Sequence, residues 1–416
     1  MESSFGLTLN KSRDGITVCV DAQGADSGFL TVFYADMLGN ILDCCDEVFW
    51  APTVKKYEFL IPEHWHIPRS AGGLALFVSE KRLFAPPKGT APVAFAPLEA
   101  VDSEDTACFT FAATADIHMN FEVHARGAYK KWEKALDFYK KSGCRLVAVS
   151  GDITGDGDDG LTVEREYEIY SEIIKKSPFH PDEVFCSIGN HGNSSEGRAR
   201  FVKCTKKPCE TRPFEDSPWF FVERSQGDRR VLLVFLAQEI SASYLTASED
   251  NFSSLQLDWF EQVMKEYDDG RTSIFVLEHA PFLEFGVGDR KPGGYRGCIA
   301  TEKGFLGNNR YVRILREHPN AIMLSGHTHL SLYEGRNYQP QGEACRMIHL
   351  GSGCQSTAYN EKGELIRSWD GRYTVTPEYG SEGHIIKVFD TKTVILGYNL
   401  STGRMIPCAC FELPHI

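Results

Sequence analysis

Short apolar runs recur along the whole chain, but what separates them changes near residue 106. Before that point the runs are rich in β-branched and aromatic residues, at 15–20, 29–34 and 74–78, with Gly, Asp, Asn and Pro in the gaps. Such runs between turn residues predict strands. Short strands at this spacing predict a small β-sandwich. A Pro- and Ala-rich linker over 86–97 and an acidic patch over 102–105 close the region. The expected division is therefore an accessory domain over 1–106 and a second domain over 107–416.

Beyond the boundary, strands and helices alternate. Apolar runs at 108–113, 146–149, 184–188, 231–237, 274–277, 321–324 and 347–350 are short enough for buried strands. Between them, 128–141 places Trp132, Ala135, Leu136 and Tyr139 on one helical stripe, and 162–176 does the same with Tyr167, Tyr170, Ile173 and Ile174. Ser253, three residues before Gln256, predicts a capping box for the helix carrying Leu257, Phe260 and Met264. Runs at 384–389 and 394–398 predict a closing hairpin. This alternation predicts an α/β core.

Polar residues with metal-binding chemistry follow five of these runs. Asp116 and His118 follow the first, Asp152 the second, Asn190 and His191 the third, His279 the fifth, and His327 and His329 the sixth. Ligands of α/β sheets collect at the carboxyl ends of strands, where loops converge. Carboxylate and amide oxygens mixed with imidazoles suit Mn, Fe or Zn rather than Ca or a thiolate-bound metal. Seven candidate ligands, Asp116, His118, Asp152, Asn190, His279, His327 and His329, exceed one tetrahedral ion and suit two ions sharing a carboxylate. Two ions about 3.5–4 Å apart can clamp the attacking and leaving oxygens of a phosphoryl transfer.

Bulk properties narrow the picture. The chain has 416 residues, 42% hydrophobic and 24% charged, as in a soluble globular protein of two domains. No apolar run approaches the ~20 residues of a membrane helix, and the first residues lack a basic patch followed by an apolar stretch. A cytoplasmic location is expected. The 13 cysteines are scattered without paired spacing, as expected of reduced thiols. A net charge of −13 without a basic stripe argues against nucleic-acid polymers as partners.

Asp116-Ile117-His118, Gly151-Asp152, Gly189-Asn190-His191, His279 and Gly326-His327-Thr328-His329 together resemble the signature of the calcineurin-like metallophosphoesterase superfamily. The resemblance implies a four-layer α/β/β/α sandwich with a dinuclear site at the sheet edge. It implies that Asp116, His118, Asp152 and His329 hold one ion. Asp152 would bridge to a second ion completed by Asn190, His279 and His327. It further implies hydrolysis by attack of a metal-bound hydroxide on phosphorus, with His191 as the catalytic residue that protonates the leaving oxygen or steadies the phosphoryl charge. Two departures stand out. Gly192 occupies a position where the family usually has Asp or Glu, and Asp156 is a candidate to orient His191 instead. His118, together with the lack of a tyrosine soon after Asp152, disfavours the purple-acid-phosphatase branch.

Loops around the site offer Asn120, His124, Asn193, Ser194, Ser195, Arg198, Arg200 and the Gly-rich stretch 286–307 with Arg290, Tyr295 and Arg296. The expected function is hydrolysis of a small phosphodiester or phosphomonoester. The alternative is a catalytically inactive metal-binding scaffold that recruits a partner through the N-terminal domain. Dimerisation, partner binding and shielding of the active-site mouth are the open roles for that domain.

Overall fold

The structure is a computed structural model that describes residues 4–12, 15–23, 28–35, 41–50, 56–62, 67, 71–79, 92–98, 107–119, 127–155, 162–192, 194–226, 229–239, 252–282, 310–334, 337–340, 345–354, 356–359, 365–367 and 380–416. Asn120, His124, Asp156, Asn193, the acidic patch and the stretch 286–307 lie outside these residues. The chain divides into two compact units. The first comprises 1–106, 394–397 and 404–413; the second comprises 107–393, 398–403 and 414–416.

Seven strands build most of the first unit: β1 (Ser4–Ser12), β2 (Gly15–Gln23), β3 (Gly28–Ala35), β4 (Ile41–Trp50), β5 (Lys56–Pro62), β6 (Gly73–Ser79) and β7 (Ala94–Pro97). They form two antiparallel sheets, ordered β1-β2-β5 and β4-β3-β6-β7. Leu7, Val18, Val20 and Ile61 of one sheet share a core with Leu30, Val32, Tyr34, Leu74 and Leu76 of the other. The end of the expected linker is in fact β7. A strand containing proline is tolerated here because β7 is an edge, where a missing N–H breaks no ladder.

In the second unit, β8 (Phe109–Thr114), β9 (Val147–Val149) and β10 (Val184–Cys186) run parallel, and β19 (Glu382–Val388) pairs antiparallel with β8. A second sheet has the order β11-β12-β13-β14-β16-β15. Its strands are β11 (Phe220–Gln226), β12 (Arg229–Phe235), β13 (Thr272–Leu277), β14 (Ile322–Ser325), β15 (Tyr338–Gln339) and β16 (Arg346–His349). The central four, β12, β13, β14 and β16, are parallel, so their carboxyl ends share one edge. Phe111 on β8 meets Phe275 on β13 edge-on, with ring centroids 4.9 Å apart, and Phe185 on β10 lies 6.2 Å from Phe235 on β12. These rings pack one sheet against the other.

Five α-helices lie among the described residues of this unit: α1 (Ala128–Lys141), α2 (Val163–Lys176), α3 (Ser195–Thr205), α4 (Ser254–Tyr267) and α5 (Arg310–Glu317). Helix α1 buries the expected stripe of Trp132, Ala135, Leu136 and Tyr139, and Trp132 stacks on Tyr170 of α2. Helices α4 and α5 bury Leu257, Phe260, Met264, Tyr311 and Leu315 against Leu232, Val234, Ile274 and Val276. Ser253 caps α4 by accepting the Gln256 N–H at 3.2 Å. The reciprocal arm of the expected box comes from elsewhere. Gln256 turns inward to bond Ala237, and Glu239 accepts the Ser253 N–H at 2.9 Å instead. No helix among the described residues is long and apolar enough to cross a membrane.

Candidate metal centre

Strands β8, β9, β10, β13 and β14 each end in a buried apolar run and release their next residues at one edge. All seven expected ligands meet there. One atom each from Asp116, His118, Asp152 and His329 lies within 4.8 Å of the others, and the same holds for Asp152, His279 and His327. Asp152 belongs to both groups. Asn190 joins the second: its Oδ1 stands 3.0 Å from His279 Nε2 and 2.7 Å from His327 Nδ1.

The backbone is bent to present these side chains. Among the described residues, the non-glycines with positive φ are Asp116 (54°), His118 (48°), Asp152 (47°), His327 (69°) and His329 (54°). A left-handed conformation is unfavourable for residues with a Cβ and persists only where the surroundings enforce it. Here every such residue is one of the expected ligands.

The motif glycines are required by close approach. A Cβ on Gly151 would overlap the His279 ring, one on Gly189 the Asp152 carboxylate, and one on Gly326 would stand 2.6 Å from Asp116 Oδ2. Glycine is the residue that lets a backbone pass this near to a ligand.

The donor atoms converge at distances that suit shared ions. Two atoms each about 2.1 Å from one ion stand about 3.0 Å apart at right angles and about 3.4 Å apart at the tetrahedral angle. His118 Nε2 and His329 Nε2 are 3.2 Å apart, Asp116 Oδ1 is 3.1 Å from His329 Nε2, and Asp152 Oδ2 is 3.0 Å from His279 Nε2. Orientation is fixed from behind. His279 Nδ1 donates to the Ser150 carbonyl at 2.7 Å, which turns Nε2 toward Asp152. Asp116 Oδ2 accepts the backbone N–H of His327 at 2.9 Å.

Charge states suit this role at every shifted ligand except His279, which holds a proton that a metal would have to displace. Burial pushes His118 down to about 3, helped by His329, and burial with His279 beside it pushes His327 down to about 4. Both rings are therefore neutral near pH 7, with lone pairs to offer. Burial alone would raise Asp152, but His279, His191 and His118 outweigh it and hold the carboxyl well below its ordinary value. Asp116 is likewise lowered, because His329 and His279 outweigh its burial. Full burial opposes a charge on His279, yet Asp152 and Asp116 raise it to about 10.

His191 is half-buried beside the cluster, its ring edge-on to His118 with centroids 5.1 Å apart. Two arginines offered by the surrounding loops have partners of their own. Arg200 pairs with Glu164 at 2.5 Å, and Arg198 donates to the Glu239 carbonyl at 2.8 Å. Ser194 caps α3 by accepting the Gly197 N–H at 3.0 Å.

Two supporting residues were missed from sequence. Glu166, fully buried on α2, accepts the Gly155 N–H at 2.8 Å and so braces the loop after Asp152. Its signal was a carboxylate on the apolar stripe that carries Tyr170 and Ile173. His349, at the end of β16, stands with Nε2 2.8 Å from the Leu330 carbonyl, next to His329.

Comparison with solved structures gives distant likenesses to β-glucuronidases. The one from Faecalibacterium prausnitzii is 11% identical, with 77% of this chain and 59% of that chain covered and a TM-score of 0.18. That from Lactobacillus rhamnosus is 10% identical, with 76% and 59% covered and a TM-score of 0.17. The apo enzyme from Ruminococcus gnavus is 11% identical, with 77% and 60% covered and a TM-score of 0.19. This chain spans less than two thirds of the length of each, and likeness at this level supports no inference about it. No curated protein matches the chain. The calcineurin-like phosphoesterase family, in contrast, matches residues 109–331, a span that begins at β8 and ends just past His329. With its ligand clusters inside that span, the chain belongs to the calcineurin-like phosphoesterase family of metal-dependent phosphate-ester hydrolases.

Proposed function

We propose that this protein is a dinuclear-metal phosphoesterase acting on a small phosphodiester or phosphomonoester. The observation that carries the reading is Asp152, whose carboxylate belongs to both ligand groups. Two ions of Mn, Fe or Zn held there would polarise the phosphoryl oxygens and lower the pKa of coordinated water. Asp116, His118, Asp152 and His329 would hold one ion, and Asp152, Asn190, His279 and His327 the other. His191, half-buried beside the cluster, would pass a proton to the leaving oxygen.

The inter-sheet packing of Phe111 on Phe275, with α1 and α2 on one sheet and α4 and α5 on the other, supports a four-layer sandwich. The core shared by two antiparallel sheets supports a β-sandwich in the first unit. Free thiols at the described cysteines fit a reducing, cytoplasmic setting. The acidic net charge of −13 favours a small ester over a polyanion.

The test combines elemental analysis with turnover in added Mn on p-nitrophenyl phosphate, its bis ester and a cyclic nucleotide. Two ions per chain and turnover that disappears in Asn190→Ala are expected. Two bound ions with no turnover on any of the three esters would defeat the reading.

A further inference from the structure

Glu382 is fully buried at the first position of β19, beyond the family-matched residues. Its side chain holds the loop that follows His329. Oε1 accepts the Ser331 hydroxyl at 2.7 Å, and Oε2 accepts the Leu332 N–H at 2.7 Å. Its backbone holds a different loop. The Glu382 carbonyl accepts the Thr114 hydroxyl at 2.9 Å, at the end of the strand that leads to Asp116. The Glu382 N–H donates to the Ser352 carbonyl at 2.8 Å, and the Ser352 hydroxyl donates to the carbonyl of Asp116 itself at 2.9 Å.

One residue therefore grips both segments that supply the 3.1 Å pair of Asp116 Oδ1 and His329 Nε2. Both ligands sit in left-handed backbone, so each loop has a tendency to relax that its surroundings must oppose. Room is left for the carboxylate by Gly351, at φ 69°, where a Cβ would stand 3.1 Å from Oε2. A carboxylate is unfavourable in the interior unless hydrogen-bonded. Here Ser331 and Leu332 of the ligand-bearing loop both donate to it.

We infer that Glu382 is a positioning residue of the metal centre: it sets the spacing between the loops that deliver Asp116 and His329, and with it the affinity for the ion they share. The inference rests on the metal reading above. Residues that orient ligands in this way typically change metal affinity by about 10- to 100-fold when lost.

The experiment is equilibrium dialysis of metal-free protein against stepped Mn, with bound Mn measured by elemental analysis. It compares wild type with Glu382→Ala, Glu382→Gln and Ser331→Ala. Glu382→Ala is expected to weaken one of the two Mn sites by about tenfold or more and to spare the other. Glu382→Gln should recover most of the loss, because its amide oxygen can still accept from Leu332 and its NH2 can donate to Ser331. Folded Glu382→Ala that binds both ions with wild-type affinity would overturn the inference and leave the metal reading intact. Wild type that binds no Mn would overturn the metal reading, and the inference with it. If Glu382→Ala does not fold, Ser331→Ala decides: loss at one site supports the inference, and wild-type affinity at both overturns it.

Discussion

The backbone N–H of His191 donates to Oδ1 of Asp152 at 3.1 Å. The carboxylate shared by the two ligand groups is thus aimed by the main chain of the residue assigned to proton transfer. Because the bond is made by backbone, it survives replacement of the His191 side chain. His191→Ala is expected to keep its metal and lose about 10²- to 10⁴-fold in kcat. The loss should be larger for an alkyl ester than for p-nitrophenyl phosphate, whose leaving group needs less protonation. Steady-state kinetics on both esters, with Mn content measured in parallel, checks this.

Gly189→Ala should remove metal without replacing a ligand. Its Cβ would overlap the Asp152 carboxylate and stand 2.5 Å from the Asp152 nitrogen. Overpacking of this kind costs about 1–3 kcal/mol, and the strain falls on the shared carboxylate. A lower melting temperature together with lost Mn is the expected outcome. A variant with full Mn content would contradict the crowding argument.

Metal binding should release a proton. In the metal-free protein, His279 Nδ1 faces the Ser150 carbonyl and Nε2 faces Asp152 Oδ2 and Asn190 Oδ1, so acceptors surround both nitrogens. Burial opposes the charge, but the carboxylates of Asp152 and Asp116, with the bonds to Asp152 and to the Ser150 carbonyl, raise the ring from 6.5 to about 10. A metal needs Nε2 bare. Calorimetry near pH 7 in buffers of different ionisation enthalpy should therefore show about one proton leaving, with affinity rising with pH toward 10. The stability sign is opposite for the metal-free fold. The folded pKa lies above the unfolded one, so His279 stabilises that fold fully below about 6.5, and this contribution fades as pH rises through about 10.

Chelation should lower the melting temperature. Each ion at 100 times its dissociation constant stabilises a fold by about 2.7 kcal/mol, and the pair would also hold five strained backbone positions. A thermal scan before and after chelator, then after Mn is restored, measures the effect. A melting temperature indifferent to metal would mean that protein bonds alone hold the strain.

The convergence of the seven candidate ligands was legible because each follows a run of buried apolar residues, and that contrast is local. Helices α1 and α2 were legible for the same reason, since Trp132, Ala135, Leu136 and Tyr139 repeat with the helical period. Strand β11 was missed because Glu223, Arg224, Ser225 and Gln226 dilute the apolar pattern of a strand at the end of its sheet. Glu382 left no signal at all. Its partners Ser331 and Leu332 lie 51 and 50 positions away, and a lone glutamate reads as a surface residue until the fold brings them together. Half of the capping box failed for a related reason: Gln256 found better partners at the end of β12 than at its own helix terminus.

The two ligand groups take members from distant parts of the chain: Asp116 needs His329, and Asp152 needs His327. A ribosome adding about 5–20 residues per second takes on the order of 10 to 40 seconds to pass from the first of these to the last. Through that interval the emerging chain carries acids and imidazoles that cannot yet be brought into either cluster. On the proposed dinuclear reading, loading would follow synthesis, and a bound ion would certify that the strands from β8 to β14 have all reached their places. A chain truncated before His327 would carry most of the ligands and complete neither group.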